Sequence, residues 1–284
     1  MAVIWEPALS EEARGWRDLA DRLTREHFAP LAAELDRDQR YPSENVHRLV
    51  EHELAGLFIP KRFGGAGASL RATAAVVETI ARGCPSTAAI LCTYRLGAFP
   101  VLLAGRDDQK QHYLGEMARG VATSFALSER YAGSDAAAAQ SMGLALAAYR
   151  EAAQRAVERH AFGGPIIENQ GIGFRLADSA VEISAARLML YEAASAYDQG
   201  RDIATLGAMA KLYASEVAHR AVDCAVQVWG GLGYCKPTVA ERLYRDQRVL
   251  EIYEGTSEIQ RLVLARAVRK EAEKANADTG ANAP

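Results

Sequence analysis

Three stretches of this chain hold neither glycine nor proline: Leu144 to Phe162, Phe174 to Gln199 and Ala208 to Trp229. Each is several times the length of an ordinary strand. Within the second, Ala177, Val181, Ser184, Leu188 and Tyr191 recur at helical spacing, and Gly200 follows as a stop. A fourth helix is expected from Glu258 to about Lys274. Long helices joined by short connections predict an antiparallel four-helix bundle over residues 141–272.

The first half, residues 1–136, is more finely punctuated and reads as a helical domain of its own. Residues 10–36 form a helix, with Ser10 as cap before Glu11 and Glu12. Residues 43–56 form a second, with Ser43 as its cap and Leu49, Val50 and Leu54 on one side. The loop "FIPKRFGGAGAS" leads to a helix over 70–82 that Gly83–Pro85 stops. Residues 86–104 are almost wholly apolar and read as a buried helix. A short helix runs from Asp107 or Asp108 to about Arg119. Strand signals are weak throughout, so the expected fold class is all-α. The polar end, 273–284, reads as a disordered tail.

Composition excludes several classes. With 49% hydrophobic and 24% charged residues the profile is that of a soluble globular protein. A net charge of −3 points to neither nucleic acid nor an anionic membrane. No apolar run is read as long enough to span a bilayer, and the N-terminus does not read as a signal peptide. Cys84, Cys92, Cys224 and Cys235 form no CxxC pair, which fits a reducing cytoplasm with free thiols. The histidines form no metal-ligand spacing, so no metal site is assigned.

Four stretches carry candidate chemistry. In "LEIYEGTSEIQRLVLAR", residues 250–266, Ser257 and Gln260 have capping-box spacing, and Gly255 allows an unusual backbone angle before the cap. Glu254 then sits on the loop entering a helix. It is either a solvated carboxylate that favours the helix dipole, or a partly desolvated base flanked by Ile252 and Tyr253. In "QVWGGLGY", residues 227–234, paired glycines let backbone approach a ligand and Gln227 offers an amide, though a plain helix stop has the same composition. "ERHAFGGPIIENQ", residues 158–170, ends a helix with Arg159, which suits either a phosphate or the helix C-terminus. "FALSERYAGSD", residues 125–135, offers Ser128 and Ser134 in a turn-rich loop fit for a polar ligand, or an ordinary loop.

Taken in order, "FALSERYAGSD", "ERHAFGGPIIENQ", "AMAKLYASEVA", "QVWGGLGY", "ERLYRDQR" and "IYEGTSEIQR" resemble the acyl-CoA dehydrogenase family, from about residue 10 to about 270. The resemblance implies an FAD enzyme that desaturates a CoA thioester between its α and β carbons. Glu254 matches the family's base for the α-proton, and the β-hydride goes to flavin N5. Backbone N–H at the base helps to polarise the thioester carbonyl. By the same match, Ser128 and Ser134 lie near the flavin and its pyrophosphate. Arg159, Phe162, Gln170, Gln227, Gly230 and Gly231 contact FAD bound mainly by a neighbouring subunit, and Thr256 touches the cofactor near the base. Tyr253 and Gly255 flank the substrate. A homodimer or homotetramer is implied, with an acyl-CoA substrate and an electron-transferring flavoprotein as acceptor.

The chain departs from the family at Asp135–Gln140. There "GSD" runs through "AAAAQSMG" straight into the first bundle helix, where the family inserts a middle β domain that covers one face of the flavin. Arg130 also stands where the family usually has proline. Two readings follow: a pared-down flavoenzyme, or a non-catalytic helical scaffold or partner subunit derived from the family, including a β-domain deletion product.

Overall fold

A computed structural model describes residues 3–122 and 135–280. The first helix is built in three parts: α1 (Glu11–Leu23), a π-helical turn at Thr24–Phe28, and α2 (Ala29–Asp38). Ser10 caps it as expected, accepting from Ala13 N at 3.2 Å. The next helix, α3 (Ser43–Glu51), is shorter than its expected 43–56. Glu53 turns into the left-handed region (φ 60°), which breaks the helix, and Ser43 is its first helical residue rather than its cap.

Helix α4 (Leu70–Gly83) starts at Ser69, whose hydroxyl accepts from Ala72 N at 3.1 Å. Its free N–H groups also meet the Asp198 carboxylate, at 2.7 Å from Leu70 N and 3.1 Å from Arg71 N. Helix α5 (Pro85–Ala104) follows. By length and composition α5 is long and apolar enough to cross a membrane, which corrects the expectation that no segment is. It carries Arg95 and sends Leu91, Cys92, Tyr94 and Ala98 into the protein interior. Two short helices, α6 (Asp107–Gln109) and α7 (Gly115–Ala118), with a π-helical turn between them, complete this half.

The second half begins with α8 (Asp135–Glu158), which starts well before the expected Leu144. A two-residue hairpin follows: β1 (His160–Ala161) pairs antiparallel with β2 (Gly164–Pro165). Its turn residues Phe162 and Gly163 have φ of 55° and 94°, the pattern of a tight primed turn. Among the described residues this is the only sheet. Helices α9 (Gln170–Asp198) and α10 (Ala204–Trp229) come next, then short α11 (Gly231–Tyr234), α12 (Val239–Arg248) and α13 (Ser257–Gly280). The described chain is all-α apart from the hairpin. The segment 273–280, read as tail, is helical; Glu273, Lys274 and Ala275 at its start are good helix formers.

Helix α10 packs on α8, α9, α12 and α13, and α4 of the first half packs on both α8 and α9. One continuous core therefore runs from Ile4 through Phe28, Val76, Met142, Tyr191 and Val222 to Leu250. The two halves are also tied by a buried ion pair. Arg187 of α9, 2% exposed, donates to Glu78 of α4 at 2.9 Å and to Glu6 at 3.0 Å.

Candidate active site

Behind α12, Leu250 is fully buried and anchors a turn at Val249–Glu251. The chain then crosses Ile252–Thr256 to reach α13. Glu254 and Gly255 both adopt left-handed backbone, with φ of 54° and 88°. Such an angle at a glutamate persists only where surrounding contacts hold it. Those contacts are present. The Lys211 ammonium, from α10, donates to the Gly255 carbonyl at 2.6 Å. Gln260 Nε2 lies 3.3 Å from the same carbonyl and 3.4 Å from that of Glu254. Tyr253 donates its hydroxyl to Gln140 Oε1. Gln140, buried in α8, donates to the Pro85 carbonyl at 3.2 Å. Thus α5, α8, α10 and α13 all converge on five residues of loop.

The helix start is shifted by one residue from its expected cap. Thr256 is the cap, its hydroxyl 3.4 Å from Ile259 N. Ser257 is the first helical residue, and its hydroxyl is buried without a partner. With Thr256 as the cap, Ile259 takes the third helical position, and Gln260 lies one residue beyond the capping-box place, its Nε2 turned to the Glu254 and Gly255 carbonyls.

Burial dominates the electrostatics here. It lowers the Lys211 pKa from 10.5 to about 8, against the opposing pull of Glu254 and Glu258. It pushes the Cys92 thiol up, and the nearby Glu254 charge adds to that. The Tyr253 hydroxyl is likewise held neutral by burial, with Cys92 and Glu254 reinforcing it.

Cys92 joins this loop to an apolar cleft between α4, α5, α8 and α9, lined by Leu57, Val77, Leu91, Arg95, Ala139 and Leu190 among others. The cleft measures about 440 Å³, open solvent at its mouth included. Arg95, at the cleft, stacks on Phe99 at 5.3 Å.

A second group of the expected residues lies on the surface of the bundle. Arg159, Phe162, Gln170, Gln227 and Gly231 are all exposed. Phe162 is 99% exposed at the hairpin tip. Gly230 has φ 68° and ψ −146°, a region open essentially to glycine. A Cβ built there would lie 3.4 Å from Arg159 Nη1, so the guanidinium rests against the glycine backbone. That apposition of a cation with a Gly-Gly turn suits an anionic group. Ser128 and Ser134 fall outside the described residues.

The site also contains Lys211, Gln140 and Cys92, which the motif reading did not assign to it, and Gln260, which was read only as a capping partner. Lys211 had a local signal. Gly207, Ala208, Ala214, Ser215 and Ala218 share its face of α10 and are all buried, so helical spacing alone puts this lysine inside.

The model of the N-terminal domain of acyl-CoA dehydrogenases matches residues 10–121, and that of the C-terminal domain matches residues 121–269. The chain belongs to the acyl-CoA dehydrogenase family, and among the described residues it has no middle β domain. It is 29% identical to the 3-(aryl)acrylate reductase of Clostridium sporogenes, over 89% of this chain and 97% of that one. Its fold is similar to that of butyryl-CoA dehydrogenase from Megasphaera elsdenii, with a TM-score of 0.85 at 22% identity, covering 93% of this chain and 100% of that one. It is also similar to PigA, solved with FAD and proline, with a TM-score of 0.83 at 17% identity, covering 93% and 99%.

Proposed function

We propose that this protein is a flavin-dependent oxidoreductase acting on the acyl group of a CoA thioester, with Glu254 as the base that removes the α-proton. One observation carries the reading. Glu254 sits on a left-handed turn held by Lys211 and Gln260, beside the apolar cleft at Cys92. The α C–H of a thioester is weakly acidic. Its removal needs a carboxylate fixed within reach and partly withdrawn from water. Charge that builds on the thioester oxygen needs donors, and the loop's own backbone N–H groups are suited to that. Tyr253 and Gly255 flank the thioester in this reading. The cleft takes the acyl chain and keeps water from the carbon acid.

FAD fits the donor set of the surface group. Arg159 against Gly230 and Gly231 suits a phosphate, while Phe162, Gln170 and Gln227 offer a ring and two amides to an adenosine. Ser128, Ser134 and Thr256 complete the set. When bound, FAD supplies the acceptor for the β-hydride. Since the exposed residues face outward, the reading includes a homodimer or homotetramer in which they serve a neighbouring subunit. It also includes an electron-transferring flavoprotein as acceptor and a reducing cytoplasm.

One observation favours the second reading, a scaffold or partner subunit without turnover: the family's middle β domain is absent. A visible spectrum separates the two. The enzyme reading expects flavin absorbance near one equivalent per chain, bleached by an acyl-CoA. A colourless protein that takes up no added FAD would sink it.

A further inference from the structure

Among the described residues, Lys211 is a charged side chain that reaches the Glu254 turn from the protein interior with no exposed surface of its own. An ammonium is costly to bury, and here it ends on a single carbonyl, that of Gly255, at 2.6 Å. That carbonyl belongs to the second of two consecutive left-handed residues, with Glu254 the first. Rotation of the Gly255–Thr256 peptide would therefore break the Lys211 bond and loosen the turn that carries Glu254. Gln260 holds the same two carbonyls from the α13 side at 3.3 and 3.4 Å, which are weaker contacts than the short charged one. The Lys211 charge also acts on Glu254 directly, since the two attract.

We propose that Lys211 is the positioning residue of the base, clamping the Gly255 carbonyl so that the turn carrying Glu254 is held in place, with its ammonium near enough to attract the carboxylate. This rests on the reading of Glu254 as the base. Two consequences differ from those of a merely structural lysine. Loss of the charge raises the affinity of Glu254 for its proton, and loss of the clamp lowers turnover without weakening substrate binding.

The test compares the FAD-loaded wild type with Lys211→Met, which keeps the stem, and Lys211→Gln, which keeps a donor but no charge. The Glu254 carboxyl is followed by carbon NMR in glutamate-labelled protein, assigned with Glu254→Gln, and acyl-CoA bleaching is followed in parallel. The midpoint of Glu254 is expected to rise by about one pH unit in both variants. The bleaching rate at saturating acyl-CoA is expected to fall at least about tenfold, with half-saturation little changed. A Glu254 midpoint identical in wild type and both variants overturns the proposal. If the wild type itself shows no bleaching, the dehydrogenase reading fails, while the NMR titration still decides the role of Lys211.

Discussion

Glu254 and Phe162 adopt nearly the same backbone, with φ of 54° and 55°, and each is followed by a left-handed glycine. Their surroundings are opposite. The Glu254 turn is gripped by Lys211 and Gln260, and its neighbour Tyr253 is tied to Gln140. The Phe162 turn is held by the two-residue ladder of its own hairpin and leaves its ring 99% exposed. The same local strain is thus enforced by tertiary contacts in one place and by a short hairpin in the other. Strain that many elements agree on marks a place where geometry matters to function.

Substitutions of the paired glycines probe this contrast first. Gly255→Ala meets both an unfavourable φ of 88° and Gln260 Nε2 at 2.7 Å. It should lose about 3 kcal/mol in chemical denaturation. A loss below 1 kcal/mol would mean that the turn is not held as described. The next effect is a pH dependence confined to the inner turn. The folded pKa of Lys211, about 8, lies below its ordinary value of 10.5. The unfolded chain therefore binds more protons between those values, and stability rises with pH across that window. Relative to Lys211→Met, wild type should gain about 2 kcal/mol from pH 8 to pH 10.5. Parallel curves for the two proteins would contradict this.

Gly163→Ala should cost less, about 1 kcal/mol, because its φ is 94° but nothing lies within 4 Å of the added carbon. Equal losses at Gly163 and Gly255 would erase the distinction between the two turns. The smallest effect is at Phe162. Phe162→Asn suits the left-handed angle and should stabilise the fold by about 0.5 kcal/mol or less. The same change should weaken FAD retention measured by gel filtration. Unchanged retention would remove Phe162 from the cofactor set.

Much of this was legible from residue order. Lengths free of glycine and proline fix α9 and α10 within a few residues, and the Glu254–Gly255 pair stands out as a turn ahead of a helix. Other features depend on distant partners. Lys211 meets Gly255 across 44 positions of sequence, so its buried period shows where it lies but not what it holds. The shift of the cap from Ser257 to Thr256 follows from Gln260 bonding backward to two carbonyls, a choice that spacing alone leaves open. The π-helical turn at Thr24–Phe28 leaves no compositional mark. The packing of α4 on α8 and α9 joins the two halves through one core because α4 carries buried residues on nearly every face, which its sequence alone does not reveal.

The account stands or falls on Glu254. The decisive measurement is the rate at which an acyl-CoA bleaches the FAD-loaded protein, in wild type and in Glu254→Gln, with bound FAD quantified in both. The account predicts that the variant keeps FAD at the wild-type ratio and bleaches about 10² to 10⁴ times more slowly. Bleaching at the wild-type rate in the variant would contradict it.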